Sequence, residues 1–459
     1  MKEKTRDLTE LKNGFYADRL QEGAVLKADD ILTILNYNQP VFNRRQGLLN
    51  AYYKKGLKVQ RRTSTTLQQA TNKVVNHFRK LIVDQKVDYL MGSASTYKYD
   101  EDYDANELLK KILRRNHYDH LDAETVREMS VAGVAYRLAY IDQEGYLRFK
   151  ILPSQETIVI RQDDEILLGI HVKDRLNAAG EAISTVSVYD QATVRVFEGT
   201  SSGLFEISNE PHLFNRCPVM VFDNKDNEAD FECVEELIDA YDEIISMSVD
   251  EISEFRLSYI SILTDTDIDE DTLQKAKTHG CIHIPDTSAK IEYITKNLND
   301  TFYENAKATI EKNIYKFSNS LDMSEESFTG ASGEARKWKL IALENRAQTT
   351  ERLFLKGLRQ QFFLIADYLA LKHNLTIDPL DIEVVFNRNL PAELSTTVDI
   401  LSKLSGHVSK RTLLALLPFV DDVDKEMDQL EEESADLYLQ AFNNLDPATQ
   451  EVKEEGEDE

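Results

Sequence analysis

Residues 323–339 read MSEESFTGASGEARKWK and join a loop of small residues to a cationic stretch. The two glycines and the small Ser, Thr and Ala side chains predict a flexible loop, because such residues constrain the backbone little. The bases Arg336, Lys337 and Lys339 then open a helical pattern that runs to about His373 and would be roughly 60 Å long. The loop therefore separates the long helix from everything that precedes it.

The charge of the chain limits its partners. Its 459 residues include 81 acidic and 54 basic residues, and 42% are apolar, which suffices for a large core and two to four domains. The net charge of −27 is concentrated near the end, since residues 421–459 hold 16 acids and two bases. Such a surface repels nucleic acid and anionic membranes at long range, and it suits a protein that must not adhere to a polyanion.

Cysteine usage and hydropathy indicate a reducing, aqueous compartment. Cys217, Cys233 and Cys281 show no paired spacing and are expected to be reduced thiols in a cytosolic protein. The first residues, MKEKTRD, lack the apolar stretch of a signal peptide, and no window approaches 18 uninterrupted apolar residues. We therefore expect no membrane-spanning segment.

Hydrophobic periodicity predicts helices and then a sheet in the first half of the chain. The first predicted helix lies at 25–38, and a loop begins at residue 41. A second helix is predicted from a cap at residues 63–66 to Met91, and a third at 104–131. From about 131 to 222, β-branched and aromatic runs separated by turn residues predict antiparallel strands. This pattern predicts a sheet region inside a mainly helical α+β protein.

An acidic helix is predicted over residues 231–257. Its apolar side chains form one stripe, and the same residues hold nine acids and one base. A short mixed module at 258–298 follows, and a second helix at about 299–320 leads back to the loop. Beyond the long helix, the chain ends in a very acidic helix at 421–439 and a tail at 451–459 that is expected to be disordered.

Residues 41–83 contain ten Lys or Arg residues and no acid, with tyrosines interleaved. This stretch has two interpretations. It is either a nucleic-acid patch or a basic surface that pairs with an acidic face of a neighbouring subunit. The second is preferred, because an acidic chain compensates such a patch most easily within an assembly.

The sequence contains no convincing catalytic, cofactor or metal site. The loop lacks the Gly-Lys-Ser/Thr order of a phosphate-binding loop, because Gly330 is followed at the expected spacing by Ala335 and Arg336. His279 and His283 lie on a strand-like run without a second ligand pair at zinc spacing. We therefore expect neither an enzyme nor a bound metal or cofactor.

Several stretches, in this order, resemble the portal proteins of tailed bacteriophages of the siphophage type. They are IVDQKVDYLMG at 82–92, VAGVAY at 131–136 with YID at 140–142, FTGASGEARKWKL at 328–340, and FNRNLP at 386–391 with LP at 417–418. Many relatives have Ser-Gly-x-Ala followed by alternating lysines in the loop. Residues 332–335 fit that pattern, but residues 336–339, which follow, carry an extra base and a Trp.

The resemblance implies a portal fold, mainly helical α+β, that assembles as a ring with a central channel. The implied segments are a wing at 1–230, stem helices at 231–257 and 299–321, a clip at 258–298, a tunnel loop at 322–334, a long wing/crown helix at 335–373, a crown at 374–450 and the acidic tail at 451–459.

Portals occupy one capsid vertex, so the resemblance also implies a function and partners. A ring of about twelve subunits would pass double-stranded DNA during packaging and ejection without reading its sequence. It would dock the terminase large subunit and a head-completion or adaptor protein, and contact the major capsid and scaffolding proteins. The protein would assemble in the bacterial host cytoplasm and reside in the virion, with no membrane partner. The alternative is an acidic helical scaffold or interaction protein without a channel.

Three groups of residues are candidate sites. The channel loop would use Ser324, Ser327, Thr329, Gly330, Ser332 and Gly333. Possible DNA contacts are Arg336, Lys337 and Lys339, which could instead pair with stem acids of a neighbouring subunit. The acidic stem would present Glu235, Glu236, Asp239, Asp242, Glu243, Asp250, Glu251 and Glu254, whose charge would repel the duplex and keep it mobile.

Overall fold

The helices and strands of this computed structural model follow one another in a mixed order. It describes residues 8–63, 70–176, 182–200, 203–255, 259–263, 270, 274, 290–294, 300–322, 333–388, 403–404, 406–415, 417, 420, 423 and 426–431. Only the backbone is described for 8, 176, 182, 254–255, 259–262, 291–294, 300, 302, 333–339 and 415. The helices are α1 Leu8–Gln21, α2 Ala28–Tyr52, α3 Phe78–Met91, α4 Tyr103–Arg115, α5 Tyr118–Ala132, α6 Glu235–Phe255, α7 Asp300–Ser318, α8 Gly333–His373 and α9 Lys410–Ala415.

In the described part of the chain, the strands form four antiparallel sheets. The strands are β1 Thr96–Lys98, β2 Val134–Ile141, β3 Leu147–Leu152, β4 Thr157–Gln162, β5 Glu165–Leu176, β6 Ala182–Tyr189, β7 Thr193–Thr200, β8 Gly203–Pro211, β9 Val219–Asp223, β10 Tyr259–Leu263, β11 Lys290–Ile294 and β12 Glu383–Val385. β4 to β8 form a five-stranded meander, β2 lies between β3 and β9, β10 pairs with β11, and β1 pairs with β12. The sheet predicted between 131 and 222 is therefore two sheets.

The chain divides into two compact units, 1–389 and 390–459. In the first unit, the largest core lies between α3, α4, α5, the three-stranded sheet, α6, α7 and α8. A smaller core packs α1 and α2 against the five-stranded sheet through alternating inward side chains such as Val186 and Val188. In the second unit, the described residues include α9 and a helical stretch at 426–431.

A buried arginine and a glycine fix α8 on the sheets. Arg137 of β2 is fully buried, forms an ion pair with Asp122 of α5 at 2.7 Å, and donates to Gln361 of α8 at 2.7 Å. Gly357 of α8 faces the ring of Phe222 on β9, where an added Cβ would lie 2.2 Å from a ring carbon. Only glycine allows this close approach of helix and strand.

Two predicted boundaries are wrong. α2 continues through residues 41–52, which were predicted as a loop, because Arg45 holds it to the carbonyl oxygens of Ser154 and Thr157 at 2.9 Å each. The helix predicted from the cap at residues 63–66 begins only at Phe78, and residues 64–66 lie outside the described part. Within that part, no helix is both long and apolar enough to cross a membrane.

Candidate functional site

The predicted acidic hairpin is present as a helix, a strand pair and a returning helix. α6 and α7 run antiparallel, since Tyr241 donates to Glu311 at 3.4 Å and Tyr303 donates to Glu251 at 3.2 Å. β10 and β11 pair between them with Tyr259 opposite Ile294. At the other end of the hairpin, Phe78 of α3 packs edge-on against the rings of Tyr241 and Tyr315, which fastens the hairpin to the main core.

One face of α6 binds an extended segment of the same chain, residues 70–77, which we name the strap. The strap backbone N–H groups of Asn72 and Asn76 donate to Asp250 at 2.5 Å and to Asp242 at 2.9 Å. Between these two contacts, the Val74 N–H donates to the hydroxyl of Ser246 at 3.0 Å. The two Asn side-chain amides donate to the same two carboxylates at 2.8 Å.

The strap contacts depend on a match between two repeats. Asp242, Ser246 and Asp250 recur every four residues on α6, which corresponds to about 6.0 Å along a helix axis. The N–H groups at 72, 74 and 76 recur every two residues of an extended chain, or about 6.6 Å. Because the repeats nearly coincide, the N–H groups of residues 72, 74 and 76 each donate to an acceptor on α6. In a sheet, a neighbouring strand would supply these acceptors.

The basic segment 41–83 pairs with acids of its own chain. Arg79 is 2% exposed and contacts Glu235 at 2.9 Å and Asp239 at 2.7 Å. Arg62 contacts Asp250 at 3.0 Å, and Arg44 contacts Glu232 at 2.7 Å. The expected pairing with an acidic face therefore occurs for these bases, but within the subunit.

The predicted stem acids consequently fall into different environments. Asp242 and Asp250 are buried, and burial raises the pKa of Asp242 although Asn76 and Arg79 oppose the effect. Glu236 and Glu243 are exposed on another face of α6, and Glu251 is half-buried beside Tyr303. The side chain of Glu254 lies outside the described part.

The segment before the predicted tunnel loop is held to α3 and α8. Gln85 and Leu321 exchange two hydrogen bonds, of 2.7 and 2.8 Å, between the Gln85 amide and the Leu321 backbone. Arg346 donates to the carbonyl oxygen of Ser318 at 3.2 Å and to the hydroxyl of Ser320 at 3.1 Å. The chain is thus fixed up to one residue before the predicted loop.

The loop candidates themselves are only partly placed. Ser324, Ser327, Thr329, Gly330 and Ser332 lie outside the described residues. Gly333 is the first residue of α8, so helix begins slightly before the predicted end of the loop. Arg336, Lys337 and Lys339 occupy the first two turns of that helix.

A buried cluster of three charges lies beneath the loop flank. Asp230 contacts Lys86 at 2.6 Å and Arg346 at 2.8 Å. Burial lowers the pKa of the Lys86 amine to about 8. Burial alone would raise the pKa of Asp230, but Arg346 and Lys86 together lower it below its usual range. One carboxylate therefore compensates two cations that join α3 to α8.

A second charged cluster joins α8 to the end of the first unit. Arg388 donates to Glu344 at 3.0 Å and to Glu351 at 2.6 Å, and Tyr89 donates to Glu344 at 2.6 Å. The hydrogen bond from Arg388 holds the pKa of Glu344 at about 2, well below its ordinary value. Among the described residues, no group of three or more His, Cys, Asp and Glu side chains could hold a metal ion.

The strap was not predicted, although the sequence contains a signal for it. Asp242, Ser246 and Asp250 share a four-residue spacing, and Asn72, Val74 and Asn76 share a two-residue spacing. Either pattern alone is compatible with a solvated helix face or an ordinary strand. Only together do they indicate an extended segment along a helix.

These observations define a mainly helical α+β protein whose distinctive feature is an acidic helix–strand-pair–helix hairpin before a long helix, as expected for a portal subunit. The family model "Phage portal protein, SPP1 Gp6-like" matches residues 35–437, and the chain belongs to this family. The predicted portal fold is thereby confirmed.

Two portal proteins agree with this assignment. The chain is 26% identical over 403 residues to the portal protein of Bacillus phage SPP1, covering 82% of this chain and 79% of that protein. It is 24% identical over 434 residues to the portal protein of Clostridium phage phiCD119, covering 86% and 93%. A solved structure described as "Neck of empty GTA particle computed with C6 symmetry" is 12% identical, with a TM-score of 0.47 over 81% of this chain and 93% of that one.

Proposed function

We propose that the chain is the subunit of a ring at one capsid vertex, with a central channel for double-stranded DNA. DNA enters through this channel during packaging and leaves through it during ejection. The ring holds about twelve copies, and its subunits join during capsid assembly in the bacterial cytoplasm and remain in the virion. Membership of the portal family supports this proposal.

The acidic hairpin is the observation that carries the proposal. α6 has eight acids and no base, and α7 has three of each. Arg62 and Arg79 compensate part of this charge, but the hairpin region stays strongly negative. Because DNA has one negative charge per about 1.7 Å of axis, an acidic wall keeps the duplex from adhering. The predicted stem acids act through this summed field, whether or not each is individually paired.

The segments on either side of the hairpin receive roles from the same proposal. Residues 258–298 form the clip that docks the terminase large subunit and later the head-completion or adaptor protein. Residues 1–230 form the wing, 335–373 the long wing/crown helix and 374–450 the crown. The wing and crown contact the major capsid and scaffolding proteins. The ATPase that drives packaging is a separate protein.

The tunnel loop at 322–334 forms a mobile constriction around the DNA. Its Gly, Ser and Thr residues accommodate the moving duplex, and Arg336, Lys337 and Lys339 supply transient phosphate contacts. Changing both Lys337 and Lys339 to Glu should impair packaging or retention of DNA while rings still form. The matched control changes Arg352 and Arg359 to Glu, which makes the same charge change further along α8. Normal packaging by the loop variant would contradict this role.

The ring is tested by measuring the native mass of the purified chain and imaging the same sample. Rings of about a dozen subunits with an axial hole are expected. Stable dimers or filaments would contradict the proposal and support an acidic scaffold without a channel.

A further inference from the structure

Two stripes of opposite charge remain exposed on the hairpin. On α6, Glu236 and Glu243 are exposed and lie seven residues apart, which places them on one face of the helix. On α7, Lys312 and Lys316 are exposed and lie four residues apart, again on one face. The strap covers a different face of α6, so the acidic stripe is accessible to another molecule.

The two stripes lie at the same level of the hairpin. The Tyr241–Glu311 hydrogen bond fixes the alignment of α6 with α7. Glu236 lies five residues before Tyr241, and Lys316 lies five residues after Glu311, so both are about 7.5 Å from this contact in the same direction. By the same count, Lys312 falls between the levels of Glu236 and Glu243.

From this alignment, the geometry points to a heterologous contact in which the Glu236–Glu243 stripe of one subunit pairs with the Lys312–Lys316 stripe of the next copy. This inference rests on the proposed ring. Cyclic symmetry places every copy at the same height along the ring axis. When the hairpin runs along that axis, residues at the same height in one hairpin are also at the same height in the next copy.

A second copy fits these stripes better than DNA does. A duplex would favour the lysine stripe but would be repelled by the acidic stripe at the same level. A neighbouring hairpin satisfies both stripes, because each subunit offers acids to one neighbour and lysines to the other. Such a head-to-tail contact repeats around a ring until it closes.

The α6 stripe also has the spacing of a helix-packing seam. Glu236, Ala240, Glu243 and Met247 follow each other at intervals of four, three and four residues, as the contact positions of packed helices do. Ala240 is small, and 41% of Met247 is exposed although it is apolar. The charged pairs would therefore set the alignment, while these two side chains supply contact surface.

Two charge-reversal variants test the contact. Variant A changes Glu236 and Glu243 to Lys, and variant B changes Lys312 and Lys316 to Glu. Each variant alone places like charges together at every contact. With two pairs reversed, association at each contact should weaken by roughly thirtyfold at low salt. Neither variant alone should form rings at a concentration where the unchanged chain does.

Mixing the two variants is the decisive step, because it separates failed pairing from failed folding. An equimolar mixture should recover rings in which A and B alternate, since every contact again joins acids to lysines. The control variant changes Glu206 and Glu210 of β8 to Lys, and it should form rings alone. Native mass spectrometry and imaging count the subunits of each sample, and circular dichroism verifies their helix content.

Each outcome bears on one proposal. Loss of rings in A and in B, with recovery on mixing, supports the contact. Rings in A and B alone, or no recovery by mixed subunits that remain folded, would overturn it and leave the ring proposal standing. Failure of the unchanged chain to form rings would instead contradict the proposed function.

Discussion

The contacts of the strap lead to a prediction: removing the Asp242 carboxylate of α6 should release the backbone N–H group of Asn76. Asp242 accepts hydrogen bonds from the backbone and side chain of Asn76 at 2.9 and 2.8 Å, and its side chain is 1% exposed. In Asp242→Ala, both donors lose an ionised acceptor. Hydrogen bonds to charged groups contribute about 1.5–3 kcal/mol each, and unsatisfied buried donors add to the loss.

The two lost hydrogen bonds set the expected magnitude. We expect the free energy required to open the strap to fall by about 3 kcal/mol. The loss is limited because Arg79 keeps its contacts with Glu235 and Asp239. This corresponds to about a hundredfold loss of protection for the Asn76 amide, at roughly 1.4 kcal/mol per tenfold. Hydrogen exchange with mass spectrometry on peptides covering 70–77 measures the change directly.

Two further variants isolate the cause. Asp242→Asn keeps an oxygen acceptor and removes only the charge, so the loss of protection should be about tenfold or less. Glu243→Ala removes an exposed acid from the adjacent position and should leave the strap unchanged. Unaltered exchange of residues 72–76 in Asp242→Ala, or an equal effect of Glu243→Ala, would refute the assignment of Asp242 to the strap.

Two other charged clusters give predictions with a definite sign. Asp230→Asn should cost about 3–5 kcal/mol of unfolding free energy in urea titrations, because Lys86 and Arg346 lose their shared anion. Lys86→Met should cost less than about 1 kcal/mol. Equal costs for the two variants would disprove this asymmetry. Because Arg388 holds the pKa of Glu344 at about 2 in the folded chain, against about 4.3 unfolded, this carboxylate stabilises the fold above pH 4.3 and its contribution is lost as the pH falls towards 2. Glu344→Gln should therefore be less stable by roughly 2 kcal/mol at pH 7 and should converge with the unchanged chain near pH 2, and a constant difference across that range would contradict the linkage.

The hairpin could be predicted from sequence because its signals are local. The apolar stripe of α6 depends on nearest-neighbour periodicity alone. The predicted helix at 231–257 differs from the observed Glu235–Phe255 mainly at its start, where a 3-10 turn at Glu232–Val234 precedes the helix. Strong periodic segments of this kind do not need tertiary information.

The strap could not be predicted because tertiary contacts oppose its local pattern. Val74 and Val75 continue the apolar spacing of α3 towards the N-terminus. Local periodicity therefore favours a helix that begins before Val74. In the fold, three acceptors on α6 satisfy the strap backbone in an extended conformation instead. Similarly, Pro40 suggests an interruption, but α2 continues through it with support from residues far along the chain.

The structure also changes how the acidic charge of α6 should be interpreted. From sequence, all eight acids of the stem helix were equivalent members of a repelling wall. Asp242 and Asp250 instead hold the strap, and Glu235 and Asp239 hold Arg79, so these four shape the subunit. Arg62 and Arg79 compensate part of the charge of α6, but the hairpin region stays negative because these bases are few. A negative stem field and a precise set of intrachain contacts are therefore compatible within one helix, and mutations of different acids should separate the two roles.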